Sequence, residues 1–296
     1  MALRDQVTIV VATLNEEDAI GPLIDEIKAA GYNNILVVDG YSKDKTGQIA
    51  NARGAMVVGQ HGKGKAGAVL VARDAVKTPY FLLMDGDYSY NPADIDRFVI
   101  HADSYDLVMG FRPKGSPNMT RTHRLGNWIL TKEFNLLLSN TLPDVACGMY
   151  LMRTESIRRL TLEKPGFVVD QEILAQTLQS GGRATAVPIE YRQRKGMAKA
   201  PTWSQGFNAM FTIADLARRY NSITLFAAIA ALCLLPASGL FILALYDYVF
   251  LGTYHEGYFL GSLILFVLGG QGLTVATIAT MLRRMERRLR NQTQQA

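Results

Sequence analysis

Residues 81–87 read Phe81-Leu-Leu-Met-Asp-Gly-Asp87, an apolar run that stops at two carboxylates one residue apart. A short apolar run bounded by turn chemistry fits a buried strand. Two acids at the end of such a strand repel each other and lose hydration, and a shared cation is the usual remedy. Hard divalent ions such as Mg²⁺ take carboxylate oxygens and grip a substrate's phosphates through one or two of them. Asp-Gly is also ordinary turn chemistry, so the local sequence leaves a metal site and a plain loop both open.

Working outward, strand and helix patterns alternate. Val7–Ala12 reads as a buried strand, followed by a helix with Asn15 as its cap, acids Glu16, Glu17 and Asp18 in its first turn, and Gly31 at its end. Asn34–Val38 reads as a second strand, Asp44–Arg53 as a helix and Met56–Val58 as a third strand. Ala66–Val76 follows as a helix, Tyr80–Met84 as the strand ending at Asp85, Asp94–His101 as a short helix and Asp106–Gly110 as a further strand. This alternation predicts a mostly parallel α/β sheet with helices on both faces. Ligands in such sheets bind beyond the carboxyl ends of the strands. The polar clusters sit at those ends: Thr13-Leu14-Asn15-Glu16, Asp39-Gly40, Asp85-Gly86-Asp87 and Gly110-Phe111-Arg112.

The apolar content, 49% of 296 residues, is unevenly spread. Residues 223–246 and 257–282 contain no charged side chain, and each is long enough to cross a hydrocarbon core of ~30 Å as a helix. Pro236 and Gly269-Gly270 are compatible with that, because membrane helices tolerate them. Neither run is N-terminal, which reads against a cleaved signal peptide. Arg218 and Arg219 precede the first run, Arg283, Arg284, Arg287, Arg288 and Arg290 follow the second, and the connection Asp247–Glu256 has neither Lys nor Arg. The positive-inside bias puts the N-terminal domain and both termini on the cytoplasmic side of the cell membrane, or of the ER membrane in a eukaryote. The net charge of +5 needs no nucleic acid, since residues 283–296 carry five Arg and one Glu, +4 by themselves. That tail is suited to anionic membrane lipids. Cys147 and Cys233 fall in different regions and read as free thiols. Trp203, Phe207, Met210, Phe211, Ala214 and Ala217 recur at helical spacing, as an interfacial helix beside the bilayer or a core helix, with the former favoured. Residues 124–138, with Leu125, Trp128 and Ile129, leave the same two options open.

Four segments then fall in order: Val10-Val-Ala-Thr-Leu-Asn-Glu-Glu17, Val37-Val-Asp-Gly-Tyr-Ser-Lys-Asp-Lys-Thr46, Gly62-Lys-Gly-Lys-Ala66 and Met84-Asp-Gly-Asp87. Together they resemble the family 2 glycosyltransferases with a GT-A fold, a Rossmann-like α/β domain. With Cys147-Gly-Met-Tyr-Leu-Met-Arg153 and the two C-terminal spans, the chain looks like the polyprenyl-phosphate hexosyltransferases of that family, the dolichol-phosphate mannose and glucose synthases and their bacterial relatives. The motifs cover about residues 5–195, and the rest matches by architecture.

The resemblance implies a nucleotide-sugar donor, a polyprenyl (dolichyl) phosphate acceptor and Mg²⁺ or Mn²⁺. Asp85 would lie nearer the ribose and the metal's waters, and Asp87 would ligate the metal. Some relatives carry a Gln ligand two residues later, where this chain has Ser89, so the third contact falls to Ser89 or water. Asp39 matches the acid that reads the nucleobase, although turn capping is its alternative role. Ala12, Leu14 and Glu16 match the nucleoside pocket wall, and Gly86 lies in the same donor site. Asp44 and Thr46 are expected to organise the following helix start. Lys63 and Lys65 fall near the donor phosphates or in a solvated loop. Their Gly-Lys-Gly-Lys form favours a UDP-hexose or UDP-N-acetylhexosamine over GDP-mannose. Arg112 and Arg124 best match the pair that binds the lipid phosphate, with Arg121 as competitor. Asp170 and Glu172 match an acidic position near the acceptor, as base, sugar contact or helix N-terminal charge. Arg192, Arg194, Lys195 and Lys199 form either a lid over the donor diphosphate, Arg194 included, or a lipid-headgroup contact.

A phosphate monoester acceptor is already largely ionised near neutral pH, with a second pKa of ~6, so it can attack without an obligate base. The expectation is an inverting hexosyl transfer, within a domain at 1–200, an interfacial helix at 201–221, a transmembrane hairpin at 222–282 and a basic tail at 283–296. The two-span anchor permits a homo-oligomer. Two other readings stand beside it. A polysaccharide-type synthase would use a sugar hydroxyl acceptor, but its Gln-x-x-Arg-Trp element is not present, and Tyr191-Arg-Gln-Arg-Lys195 lacks the Trp. A non-catalytic sugar-nucleotide-binding membrane scaffold is the third.

Overall fold

The computed structural model describes residues 4–62, 64–113, 118–138, 140–162, 169–195, 210–213, 215 and 222–295, with the side chains of 222–225, 280, 283, 284 and 286–295 outside the description. Lys63, Lys199, most of 200–221 and the side chains of the tail arginines, on all of which expectations rest, therefore lie outside it. The chain divides into two compact units, one of Met1–Asn135 with Thr141–Ile213 and one of Leu136–Asn140 with Ala214–Ala296.

In the first unit the elements run β1 (Val7–Thr13), α1 (Glu17–Ala29), β2 (Ile35–Asp39), α2 (Thr46–Ala52), β3 (Met56–Gly59), α3 (Gly64–Ala75) and β4 (Tyr80–Asp85). They continue with α4 (Ile95–Val99), β5 (Leu107–Phe111), α5 (Arg121–Leu138, of which the part from Leu136 belongs to the second unit), β6 (Tyr150–Arg153), α6 (Thr154–Arg158), α7 (Val169–Gln179) and β7 (Ala184–Pro188). The strands form one seven-stranded sheet in the order β3-β2-β1-β4-β6-β5-β7. It is mostly parallel, as expected, but β6 runs antiparallel to both β4 and β5. Met149-Tyr-Leu-Met152 is too short an apolar run for periodicity to separate strand from helix, and it carried no strand expectation.

Val7, Ile9 and Val11 of β1 join Ile20, Leu23, Ile24 and Ile27 of α1 in one fully buried cluster. Val10, on the other face of the strand, is equally inaccessible. Burial on both faces explains why β1 reads as a continuous apolar run rather than an alternation. Each of these side chains contributes roughly 1.5–3 kcal/mol by leaving water, so Leu23→Ala would cost about 2–5 kcal/mol. The expected cap of α1 is corrected. Asn15 takes a left-handed backbone with φ 52°, the N-cap is Glu16 with no capping bond from its own side chain, and Asp44 Oδ2 accepts the Glu17 N–H at 3.2 Å instead. The Asn15 side chain is committed elsewhere, its Oδ1 accepting from the Lys43 N–H at 2.7 Å.

The second unit contains α8 (Ser222–Phe250) and α9 (Glu256–Gln295). Phe226–Phe250 and Glu256–Ala279 are long and apolar enough to cross a membrane. Ala230, Ala237 and Ala244, seven residues apart, are buried, while Leu232, Leu235 and Ile242 are exposed. A Cβ at Gly269 would meet Leu234 Cγ at 2.5 Å, so close approach of the two helices depends on small residues, as in membrane helix pairs. Large apolar side chains facing outward along both helices argue against a soluble core.

Candidate active site

Three neighbouring strands deliver the polar clusters to one edge. Thr13 of β1 pairs in register with Asp39 of β2, and Ala12 pairs with Asp85 of β4. The ladder continues into the loops, with the Gly40 N–H donating to Thr13 O at 2.8 Å and the Gly86 N–H to Ala12 O at 2.9 Å. A Cβ at Gly86 would meet Thr13 Oγ1 at 2.9 Å, so only glycine lets the acidic turn lie against β1. Just beyond these strand ends stand Asn15, Tyr41 and Tyr88, with φ of 52°, 66° and 68°. Left-handed backbone is costly for such residues and gathers at functional sites.

The β1 and β2 loops are tied together. The Asn15 N–H donates to Ser42 Oγ at 2.8 Å, and Ser42 Oγ donates to Asp39 Oδ1 at 2.5 Å. Asp39 is thus a turn organiser at the same position where the nucleobase acid was expected. The Thr46 N–H donates to Asp44 Oδ1 at 3.0 Å, and the Glu16 N–H donates to Thr46 Oγ1 at 2.8 Å, so Asp44 and Thr46 do organise the start of α2. Leu14 is partly exposed at this edge, and Gln60 is buried beside it, its Oε1 lying 3.3 Å from a Cβ position on Gly40.

Behind the acidic turn is a buried charge cluster. The Lys65 ammonium lies 3.3 Å from Asp85 Oδ1 and 3.0 Å from Asp170 Oδ2, and it donates to Gly148 O at 3.1 Å. Burial by itself would lower the Lys65 pKa, but Asp170 and Asp85 outweigh it and raise the value. Burial also pushes the Asp170 carboxyl up to about 6 against the pull of Lys65, and it raises Asp85. Asp170 lies in the first turn of α7, a helix tethered where Gln171 Nε2 donates to Val145 O at 2.8 Å. Glycine at 148 leaves room for this pair, since a Cβ there would press on Lys65 Nζ and meet Asp85 Oδ2 at 2.9 Å, displacing both. The motif around Cys147-Gly-Met149 thereby gains a physical role.

On the outer side, Ser89 Oγ donates to Asp87 Oδ1 at 2.6 Å and the Ser89 N–H donates to the same oxygen at 3.0 Å. Arg194 reaches Asp87 Oδ2 at 3.5 Å and is ion-paired with Glu16. The structure therefore gathers Ala12, Glu16, Asp39, Lys65, Asp85, Gly86, Asp87, Ser89, Asp170 and Arg194 around one strand edge. Asp85 and Asp87 offer the carboxylate oxygens a hard divalent ion prefers. Among the described residues no group of three or more His, Cys, Asp or Glu could hold a metal. That donor set fits an ion whose remaining positions go to water and substrate phosphate rather than an all-protein cage.

Arg112 and Arg124 sit apart from this edge. Both line a groove of about 410 Å³ with Pro113, Met119, Leu125, Trp128 and Pro143. Arg112 is buried and bound in a fork, Nε to Asp144 Oδ2 at 2.8 Å and Nη2 to Asp144 Oδ1 at 3.0 Å. Asp144 outweighs burial and raises the Arg112 pKa further. Arg121 and Arg124 are exposed on α5. The groove connects to the acidic edge through aromatic rings. Arg112 lies 5.4 Å over the Tyr191 ring, Tyr191 meets Tyr90 edge-on at 6.0 Å, and Tyr90 Oη accepts the Gly148 N–H at 2.9 Å. Asp144, Tyr90, Tyr191, Glu26 and Tyr88 carried no expectation. No local pattern marks them, because each acquires its partner only across the fold.

Solved structures share this architecture. Glucosyl-3-phosphoglycerate synthase from Mycobacterium tuberculosis, crystallised with Mn²⁺, UDP and phosphoglyceric acid, superposes with a TM-score of 0.62 at 20% identity, over 73% of this chain and 80% of that one. The fold is therefore of the GT-A type. The chain belongs to glycosyl transferase family 2, whose pattern matches residues 8–161. It is 32% identical to the dolichyl-phosphate hexose transferase of Haloferax volcanii over 207 residues, 68% of this chain and 90% of that protein. The glycosyltransferase AglJ of the same organism is 34% identical over 198 residues, 66% of this chain but only 65% of AglJ. An undecaprenyl-phosphate mannosyltransferase of Micrococcus luteus is 26% identical over 206 residues, 64% of this chain and 85% of that protein.

Proposed function

We propose that the protein transfers a hexosyl group from a nucleotide sugar, with UDP-hexose or UDP-N-acetylhexosamine favoured over GDP-mannose, to a polyprenyl (dolichyl) phosphate at the cytoplasmic face of a membrane. The observation that carries this reading is the pairing of two chemistries in one unit. An acidic strand edge suits a metal-bound diphosphate, and an apolar groove edged by Arg112 and Arg124 suits a phosphate on an isoprenoid. Relatives named for dolichyl- and undecaprenyl-phosphate substrates support the acceptor. Fold neighbours crystallised with UDP and with Mn²⁺ or Mg²⁺ support the donor and the ion.

The lipid phosphate oxygen forms the new bond to the anomeric carbon as the bond to the nucleoside diphosphate breaks, with inversion. Asp85 and Asp87, with Ser89 or water, would hold Mg²⁺ or Mn²⁺, and the ion would supply counter-charge to the diphosphate as it leaves. Arg194 and Lys65 add fixed positive charge to the same region. Asp170 holds Lys65 in place beside Asp85 and acts as a positioning group rather than an obligate base. Arg124 gathers the acceptor phosphate, for which its guanidinium fork is suited, while the paired spans hold the protein where that lipid resides. The charge of the site and the acceptor's own ionisation make transfer chiefly a matter of positioning and neutralisation.

The test incubates purified full-length protein with dolichyl or undecaprenyl phosphate, Mg²⁺ or Mn²⁺ and a panel of UDP- and GDP-sugars. Labelled sugar appearing in a lipid-extractable product is expected, and its donor names the specificity. Label found only in long polymer, or no transfer with any donor, would overturn the reading.

A further inference from the structure

After β7 the chain runs back along the acidic turn. Tyr90 and Tyr191 form an antiparallel bridge, the Arg192 N–H donates to Ser89 O at 2.8 Å, and the Lys195 N–H donates to Asp87 O at 3.1 Å. This strap carries three cations, Arg192, Arg194 and Lys195, and they divide their work. Arg194 turns to Asp87 and Glu16. Arg192 instead pairs with Glu26 of α1 at 2.6 Å and lies 5.4 Å over the Tyr88 ring. Lys195 Nζ stands 3.9 Å from the centroid of the same ring, and the Tyr88 hydroxyl bonds to Glu26. Tyr88 is therefore gripped at its face by two cations and at its hydroxyl by a carboxylate, in a left-handed backbone of φ 68° that glycine would adopt without strain. The contacts of its ring, which a glycine could not make, are what this position retains.

We propose that Tyr88, Glu26 and Arg192 are positioning residues that clamp the strap onto the acidic turn, so that Arg194 is pre-set over Asp87 for the donor diphosphate. This rests on the nucleotide-sugar reading above, and it assigns the strap's cations unequal roles: Arg192 is an anchor and Arg194 the group offered to substrate. Preorganisation of this kind improves binding by removing the ordering cost of the strap.

Two measurements on the full-length protein in detergent test it. In the first, amide hydrogen exchange is followed at Arg192 and Lys195 without ligand. Glu26→Gln should speed exchange about tenfold or more and Tyr88→Phe severalfold, with the thermal midpoint little changed. In the second, calorimetry measures binding of UDP·Mn²⁺ and GDP·Mn²⁺. The nucleotide that wild type prefers should bind about tenfold more weakly to Glu26→Gln. Arg192→Lys, which keeps a cation for both Glu26 and the Tyr88 ring, should stay within about threefold of wild type, whereas Arg192→Gln should lose about tenfold, as Glu26→Gln does. Unchanged exchange in both Glu26→Gln and Tyr88→Phe would overturn the clamp. So would nucleotide binding in Arg192→Gln as tight as in wild type. Failure of wild type to bind either nucleotide would sink the nucleotide-sugar reading instead, and the ligand-free exchange would still decide the clamp.

Discussion

The acidic edge and the groove handle charge in opposite ways. At the edge, Lys65 is buried between Asp85 and Asp170, and Arg194 is shared by Glu16 and Asp87. In the groove, Arg112 is consumed by Asp144, while Arg124 stands exposed on α5. A ligand at the edge must exchange partners with groups that already hold one another. A ligand in the groove meets a cation that is open to water. Two arginines expected to act as a pair are thus unequal physically: Arg112 is spent on Asp144 in the groove wall, and Arg124 is open to solvent, as the proposed phosphate contact requires.

The largest expected effect breaks the edge itself. Asp87→Ala should lower transfer at least ~10³-fold, the scale of losing a group aimed at developing charge, measured as labelled lipid product. Near-normal turnover would end the metal assignment. Next, Lys65→Met removes the cation between the buried Asp170 and the partly exposed Asp85. Breaking a buried pair costs about 3–5 kcal/mol, which for a domain this size lowers the thermal midpoint by roughly 10 °C. Scanning calorimetry in detergent, with and without Mn²⁺, should show the loss and a partial recovery by the ion. An unchanged midpoint would mean that Asp85 and Asp170 do not depend on Lys65.

On the groove side, Arg124→Ala should raise the KM for polyprenyl phosphate about tenfold, near 1.4 kcal/mol, with the donor KM unchanged. Arg112→Ala should mainly destabilise the fold, because it strands Asp144. The reverse pattern in steady-state kinetics and melting would exchange the two roles. The smallest effect concerns Glu133, half-buried on α5, whose Oε2 has no hydrogen-bond partner among the described residues and whose carboxyl burial pushes from the usual 4.5 to about 7. Between those values the unfolded chain has released a proton that the folded chain retains, so stability falls as pH rises through that window. Glu133→Gln should flatten this slope and gain ~1 kcal/mol at pH 8 after solvent screening is allowed for, read from melting curves at pH 5 and pH 8.

Much of the catalytic unit was legible in the chain. Strands β1, β2 and β4 were marked by continuous apolar runs because both of their faces are buried. Their acids were marked by following those runs directly. The reading failed where a signal was short or shared. β6 is four residues long and enters the sheet antiparallel. Asn15, which has the chemistry of a helix cap, is used instead to bind the β2 loop. The clusters around Lys65 and Tyr88 were invisible for a further reason, since Lys65 meets Asp170 across 105 residues and Arg192 meets Glu26 across 166.

The sequence by itself determined the α/β alternation, the ordered motifs of the family, the acidic pair at a strand end and two helices apolar enough to span a membrane. All of these depend on neighbours in the chain, through burial periodicity, turn chemistry and hydropathy. Only the tertiary structure decided which charges neutralise which. It paired Lys65 with Asp85 and Asp170, gave Arg112 to Asp144, and split the strap's cations between Glu26 and the acidic turn. The energy of a charge depends on what stands within a few ångströms of it and on how far water is excluded, and neither is set until distant segments pack together.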